Sequence, residues 1–230
     1  MPSKNGATVI VVPGRSGPQK QARMLVRNGY GVLLFDRRGE GVSDGDPNGY
    51  GWGGEPDLHA AAAYLRSRPD VDPERIGAIG LSVGGEMLIH AAAHSDAFKA
   101  IVSEGASGQS VRDELANPGT GGRLSELPPM TVLAFAVSAF TSELPPTPLR
   151  DEVARISAPV FFIYGEHGQE GAEAKPNNGF YAAAREPKQI WEVPNGQHVA
   201  GITTEPEEYE RRVIAFLDGA LQANSRKEPR

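Results

Sequence analysis

No cysteine occurs in the 230 residues, and that excludes disulfides, thiolate nucleophiles and cysteine-based zinc sites. Histidine is also scarce, at five residues. His90 and His94 lie one helical turn apart, a metal-ligand spacing, but no glutamate adjoins the first and no third ligand is in view, so the pair is read as solvated or capping. A basic excess is lacking as well. The net charge of -6 leaves no electrostatic footprint for nucleic acid. No uninterrupted apolar run approaches the roughly 20 residues that span a bilayer, and the stretch from Met1 to Gly6 has no apolar signal-peptide segment. These absences point to a cytoplasmic protein without a membrane segment, acting on a small molecule. With no break in composition, residues 1–230 read as one domain.

What is present is alternation. Ala7–Val12, Tyr30–Phe35, Arg75–Leu81, Phe98–Ser103, Pro159–Tyr164 and Gln189–Val193 are short apolar runs of buried-strand type. Helical patterns fall between them at Pro18–Asn28, Asp57–Arg66, Gly84–His94 and Asn177–Arg185, and Pro206–Leu221 closes the chain as an amphipathic helix. Strand, helix, strand in such short order predicts parallel crossovers, hence a mostly parallel central sheet with helices on both faces. The charged, glycine-punctuated stretch from Asp36 to Gly45 reads as a surface turn network.

From about 106 to 150 the alternation stops, and an interruption of that length usually serves function. Its apolar run, Met130–Phe140, is bounded by Leu127-Pro128-Pro129 and Leu144-Pro145-Pro146. We read it as a cap helix lining a pocket for acyl or alkyl groups; a homodimer interface or core filler are the alternatives.

One polar side chain stands at the corner between the strand Arg75–Leu81 and the helix that follows. Ser82 is flanked by Gly80 and Gly84, the spacing of a nucleophile elbow, in which small neighbours let the backbone turn sharply enough to push the hydroxyl out at the top of the sheet. A serine hydroxyl is a poor nucleophile at neutral pH and needs a base within hydrogen-bond reach, oriented by a third group. His198 follows the last strand in a Pro-Asn-Gly turn and is the best base; His59 and His167 have no comparable placement.

The elbow Gly80-Leu81-Ser82-Val83-Gly84-Gly85, the turn Pro13-Gly14-Arg15, the loop Asp36-Arg37-Arg38-Gly39-Glu40-Gly41-Val42-Ser43 and the segment Asn195-Gly196-Gln197-His198 together resemble the α/β-hydrolase family, more narrowly its small bacterial members of the dienelactone hydrolase and esterase type. The resemblance implies an α/β-hydrolase fold with a small cap insertion, and a serine hydrolase needing no cofactor or metal. It implies backbone N–H groups of Val83 and Arg15 as the oxyanion hole. It also implies two strands ahead of the one that starts by Ala7, so a shortened or truncated N-terminus is expected.

The third catalytic group is the departure. Where the family usually has an aspartate, three residues after the glycine that ends the preceding strand, this chain has Gly168, and no aspartate occurs between Asp151 and Asp218. A glutamate must serve. The family's interval from the histidine lands beside Glu170, which is the expected acid; Glu173, Glu166 and Glu104 are alternatives. The expected activity is hydrolysis of small carboxylic esters or related acyl compounds through an acyl-enzyme on Ser82. A thioesterase, lactonase or amidase with the same triad, and a non-catalytic binding protein of this fold, are the rivals.

Overall fold

The computed structural model describes residues 3–15, 17–45, 50–108, 112–113, 127–141 and 144–225. Its strands are β1 (Thr8–Val12), β2 (Gly31–Leu34), β3 (Ile76–Leu81), β4 (Ala100–Glu104), β5 (Val160–Gly165) and β6 (Lys188–Val193). The helices are α1 (Gln19–Arg27), α2 (Glu55–Arg66), α3 (Val83–Ala93), α4 (Leu127–Thr141), α5 (Leu149–Val153), α6 (Ala174–Ala183), α7 (Gly201–Thr204) and α8 (Pro206–Ser225). Every pairing is parallel, in the order β2-β1-β3-β4-β5-β6. This is the α/β-hydrolase fold.

The apolar runs form strands because both of their faces are covered. Along β1, Ile10 and Val12 point into one core and Val9 and Val11 into the other, the two-residue period of a strand. The first core lies under α2, α3, α5 and α6, through Leu58, Leu88, Val153 and Phe180. The second lies under α1 and α8, through Leu25, Tyr209, Val213 and Leu217.

Parallel strands bring all their C-terminal ends to one edge of the sheet, and the order reverses between β1 and β3. Loops leaving neighbouring strands in opposite directions open a crevice there, where ligands bind in open α/β sheets. Ser82 follows β3 at that point, and the segments after β5 and β6 reach the same edge.

The stretch from Asp36 to Gly45 is the expected turn network. Asp36 accepts the Val42 N–H at 3.2 Å, and Arg38 pairs with Asp57 at 2.7 Å. The expected cap run is helical in α4, with Val132 and Phe135 exposed; residues 109–111, 114–126 and 142–143 of the insertion lie outside the described residues. No helix among the described residues is long and apolar enough to cross a membrane. His94 stands between two carboxylates, Glu55 at 3.1 Å and Glu152 at 3.2 Å, tying α2 to α5.

Candidate active site

At the end of β3, Ser82 adopts φ 53° and ψ -125°, a conformation that strains a non-glycine residue. Its surroundings hold it there. The Ser82 N–H donates to the Glu104 carbonyl at 2.8 Å, and the Ser82 carbonyl accepts from Gly85 N–H at 2.8 Å and Glu86 N–H at 3.2 Å. The bend also brings α3 so close to β1 that a Cβ on Gly84 would stand 2.6 Å from the carbonyl oxygens of both Val12 and Pro13. Backbone cannot yield as a flexible side chain can. Gly84→Ala is therefore expected to cost about 3 kcal/mol or more, a fall of roughly 6–12 °C in Tm for a chain of this size; a Tm within 2 °C of the parent, by calorimetry, would contradict the packing described.

The Ser82 hydroxyl lies 2.8 Å from His198 Nε2. On the other side of the ring, Nδ1 meets Glu173 Oε1. With a carboxylate at Nδ1, that nitrogen carries the proton, which leaves Nε2 as the acceptor facing the serine hydroxyl. The Glu173 side chain is fully buried and its second oxygen accepts the Gly165 N–H at 3.1 Å. The imidazole is about one-third exposed, so its charge partner is more deeply buried than the ring itself.

Of the carboxylates weighed from the sequence, it is thus Glu173, and not Glu170, that meets His198. Glu170 is exposed, in the short turn Gly168–Gly171, where it and Gln169 take positive φ values of 59° and 47°. The reason is steric. A Cβ on Gly168 would overlap the Glu173 carboxylate; the absence of a side chain there opens the space that Glu173, reaching back from the residue before α6, fills. A glycine at the usual acid position, followed by a carboxylate at the start of the next helix, was the signal available in the sequence.

The other glutamates have separate tasks. Glu166 accepts the Asn195 N–H at 2.8 Å and so braces the turn leading to His198. Glu104 is buried and bonds Tyr209 and Gly201. Burial pushes its carboxyl above the usual carboxylate range, against the lowering effect of the Tyr209, Gly201 and Gln21 bonds, and nearby Glu173 adds to the rise. Sequence reasoning passed over Glu86, one turn beyond Ser82, whose Oε1 accepts from Ser107 N–H at 3.1 Å and Gly108 N–H at 3.0 Å. It anchors the root of the 106–150 insertion to the helix that starts at the elbow.

Val83 is the first residue of α3 and is buried, while Arg15 is exposed on the turn after β1. That turn lies against the elbow, since a Cβ on Gly14 would stand 3.1 Å from Ser82 Cβ. The two residues therefore flank the serine from adjoining segments.

Residues 11–191 match the family model described as X-Pro dipeptidyl-peptidase (S15 family). The chain belongs to this S15 family. Among curated relatives, it is 28% identical over 240 residues to the uncharacterized protein YfhR of Salmonella typhi, covering 96% of this chain and 75% of that protein. Among solved structures, the esterase Pf2001 of Pyrococcus furiosus superposes with a TM-score of 0.73 at 24% identity, over 94% of this chain and 83% of that one. Est1E of Butyrivibrio proteoclasticus, with ferulic acid bound, gives a TM-score of 0.71 at 17% identity, over 96% and 94% of the two chains. At such identities the superpositions speak for the fold. The S15 match and the fold together make this chain a hydrolase of the α/β class.

Proposed function

We propose that this S15 family member is a serine hydrolase of small carboxylic esters, with Ser82 as nucleophile, His198 as general base and Glu173 as the acid that orients it. The single observation carrying the reading is the continuous line Ser82 Oγ, His198 Nε2, His198 Nδ1, Glu173, on three loops that gather at one edge of the sheet. Lone buried ion pairs do not need a hydroxyl aligned on the far ring nitrogen; nucleophilic catalysis does.

In this mechanism Ser82 Oγ attacks the ester carbonyl while its proton passes to His198 Nε2. The imidazolium is stabilised by the buried Glu173 carboxylate. Negative charge on the former carbonyl oxygen is met by the N–H groups of Val83 and Arg15, donors fixed before reaction begins. Collapse expels the alkoxide, which takes the proton from His198, and leaves an acyl ester on Ser82. Water then repeats the sequence and frees the acid.

The structural likeness to Pf2001, an esterase, supports the ester over the amide. The family description favours a second reading, cleavage of an X-Pro peptide by the same three residues. Purified protein is expected to be labelled by a fluorophosphonate and to release p-nitrophenol from short-chain p-nitrophenyl esters, with an X-Pro p-nitroanilide turned over far more slowly. Faster cleavage of the anilide would move the assignment to the peptidase. Inertness to all three reagents would sink the hydrolase assignment itself.

A further inference from the structure

One buried carboxylate stands outside the mechanism above. Glu104 ends β4, opposite Leu81 in the register with β3, and is 1% exposed. Its carbonyl is the acceptor for the Ser82 N–H. Its side chain grips the segment that carries the base: Oε1 accepts the Gly201 N–H at 3.0 Å and Oε2 accepts the Tyr209 hydroxyl at 2.7 Å, with Gln21 as a further partner. Gly201 opens α7, just beyond His198.

The segment between His198 and Gly201 needs holding. Val199 has φ 53°, a left-handed conformation that is an outlier for a β-branched residue and strains the backbone. Such a conformation persists only where neighbours over-determine it. On one side stands Gly105, where a Cβ would lie 3.0 Å from Val199 Cγ2 and 3.1 Å from His198 Cε1. Beyond Val199 is the Gly201 bond to Glu104. Two consecutive residues, Glu104 and Gly105, thus touch the backbone of the serine, the imidazole ring and both ends of the strained turn.

We propose that Glu104, braced by Tyr209, is a positioning residue for His198: its buried carboxylate holds the left-handed Val199 turn and so keeps Nε2 on the Ser82 hydroxyl. The proposal rests on Ser82 and His198 being nucleophile and base. It goes further in making the same residue fix the serine through its backbone and the histidine through its side chain. A carboxylate that served packing alone would act on both catalytic segments without distinction.

The test is a double-mutant comparison with p-nitrophenyl acetate, in which Glu104→Gln and Tyr209→Phe are each made in the wild-type and His198→Ala backgrounds. In the wild-type background Glu104→Gln is expected to lower kcat about 10- to 100-fold, the scale of a small misplacement of a catalytic group, and Tyr209→Phe about 3- to 10-fold. KM should stay within about two-fold, because the ester-binding surface is untouched. In the His198→Ala background both changes should leave the residual rate within about two-fold, since no imidazole remains to be misplaced. Equal losses in the two backgrounds, unchanged kcat, or a raised KM at constant kcat would each overturn the proposal. Should Glu104→Gln not accumulate as folded protein, Tyr209→Phe, which deletes a single oxygen, decides the comparison alone. A wild-type protein inert to fluorophosphonate would instead refute the hydrolase reading, and this proposal with it.

Discussion

Replacing Ser82 by alanine is expected to lower kcat on p-nitrophenyl esters by about 10⁴- to 10⁶-fold and to abolish fluorophosphonate labelling. The hydroxyl is the only group at the elbow able to form the acyl bond, and its removal costs the contact with His198 but leaves the backbone hydrogen bonds of the turn in place. The variant should therefore keep the parent Tm while losing activity. His198→Ala should be nearly as severe, and the double variant hardly worse than either, because nucleophile and base act as one unit. Steady-state kinetics and mass spectrometry of the labelled protein give both readouts. A Ser82→Ala protein that still hydrolyses at the parent rate would move the nucleophile elsewhere in the chain.

The second large effect separates two neighbouring glutamates. Glu173→Gln is expected to reduce kcat about 10³- to 10⁴-fold. The amide keeps the shape but offers an uncharged partner to Nδ1, and in one orientation it presents a donor, which forces the proton to the wrong ring nitrogen. The imidazolium formed during attack also loses the buried negative charge beside it. Glu170→Gln, in an exposed turn, should leave kcat within about two-fold, and Glu166→Gln should have a small effect, since an amide oxygen can still accept the Asn195 N–H. Kinetics that spared Glu173→Gln and crippled Glu170→Gln would reverse the assignment.

Much of this was legible in the sequence because parallel sheets impose a strong pattern. Strands buried on both faces must be nearly continuous apolar runs, as Val9–Val12 and Val160–Ile163 are, and helices between them must cover one face or the other. The elbow was legible for a similar reason: with two backbone carbonyls 2.6 Å from where a Cβ would be, position 84 admits little but glycine. The proposed acid was not legible by counting. An interval along the chain assumes that the path from acid to base keeps its length, whereas here the carboxylate comes from beyond a turn with two left-handed residues, Gln169 and Glu170, and reaches back over Gly168. Left-handed conformations in Gln, Glu and Val carry no sequence signature. The expected helix from Asn177 begins earlier, at Ala174, directly after Glu173.

The span of 116 residues between Ser82 and His198 also has a meaning in time. A ribosome adding about 5–20 residues per second takes roughly 6–23 seconds to travel from Ser82 to His198, the proposed nucleophile and base. Strands β1, β2 and β3 and the elbow are made before Glu173, His198 and α8, which helps to cover one face of the sheet. During that interval the nascent chain carries Ser82 without the imidazole proposed to activate it. On the proposed assignment, hydrolytic competence arises only once His198 has been made, so that the growing polypeptide passes through the stages before it as a chemically silent chain.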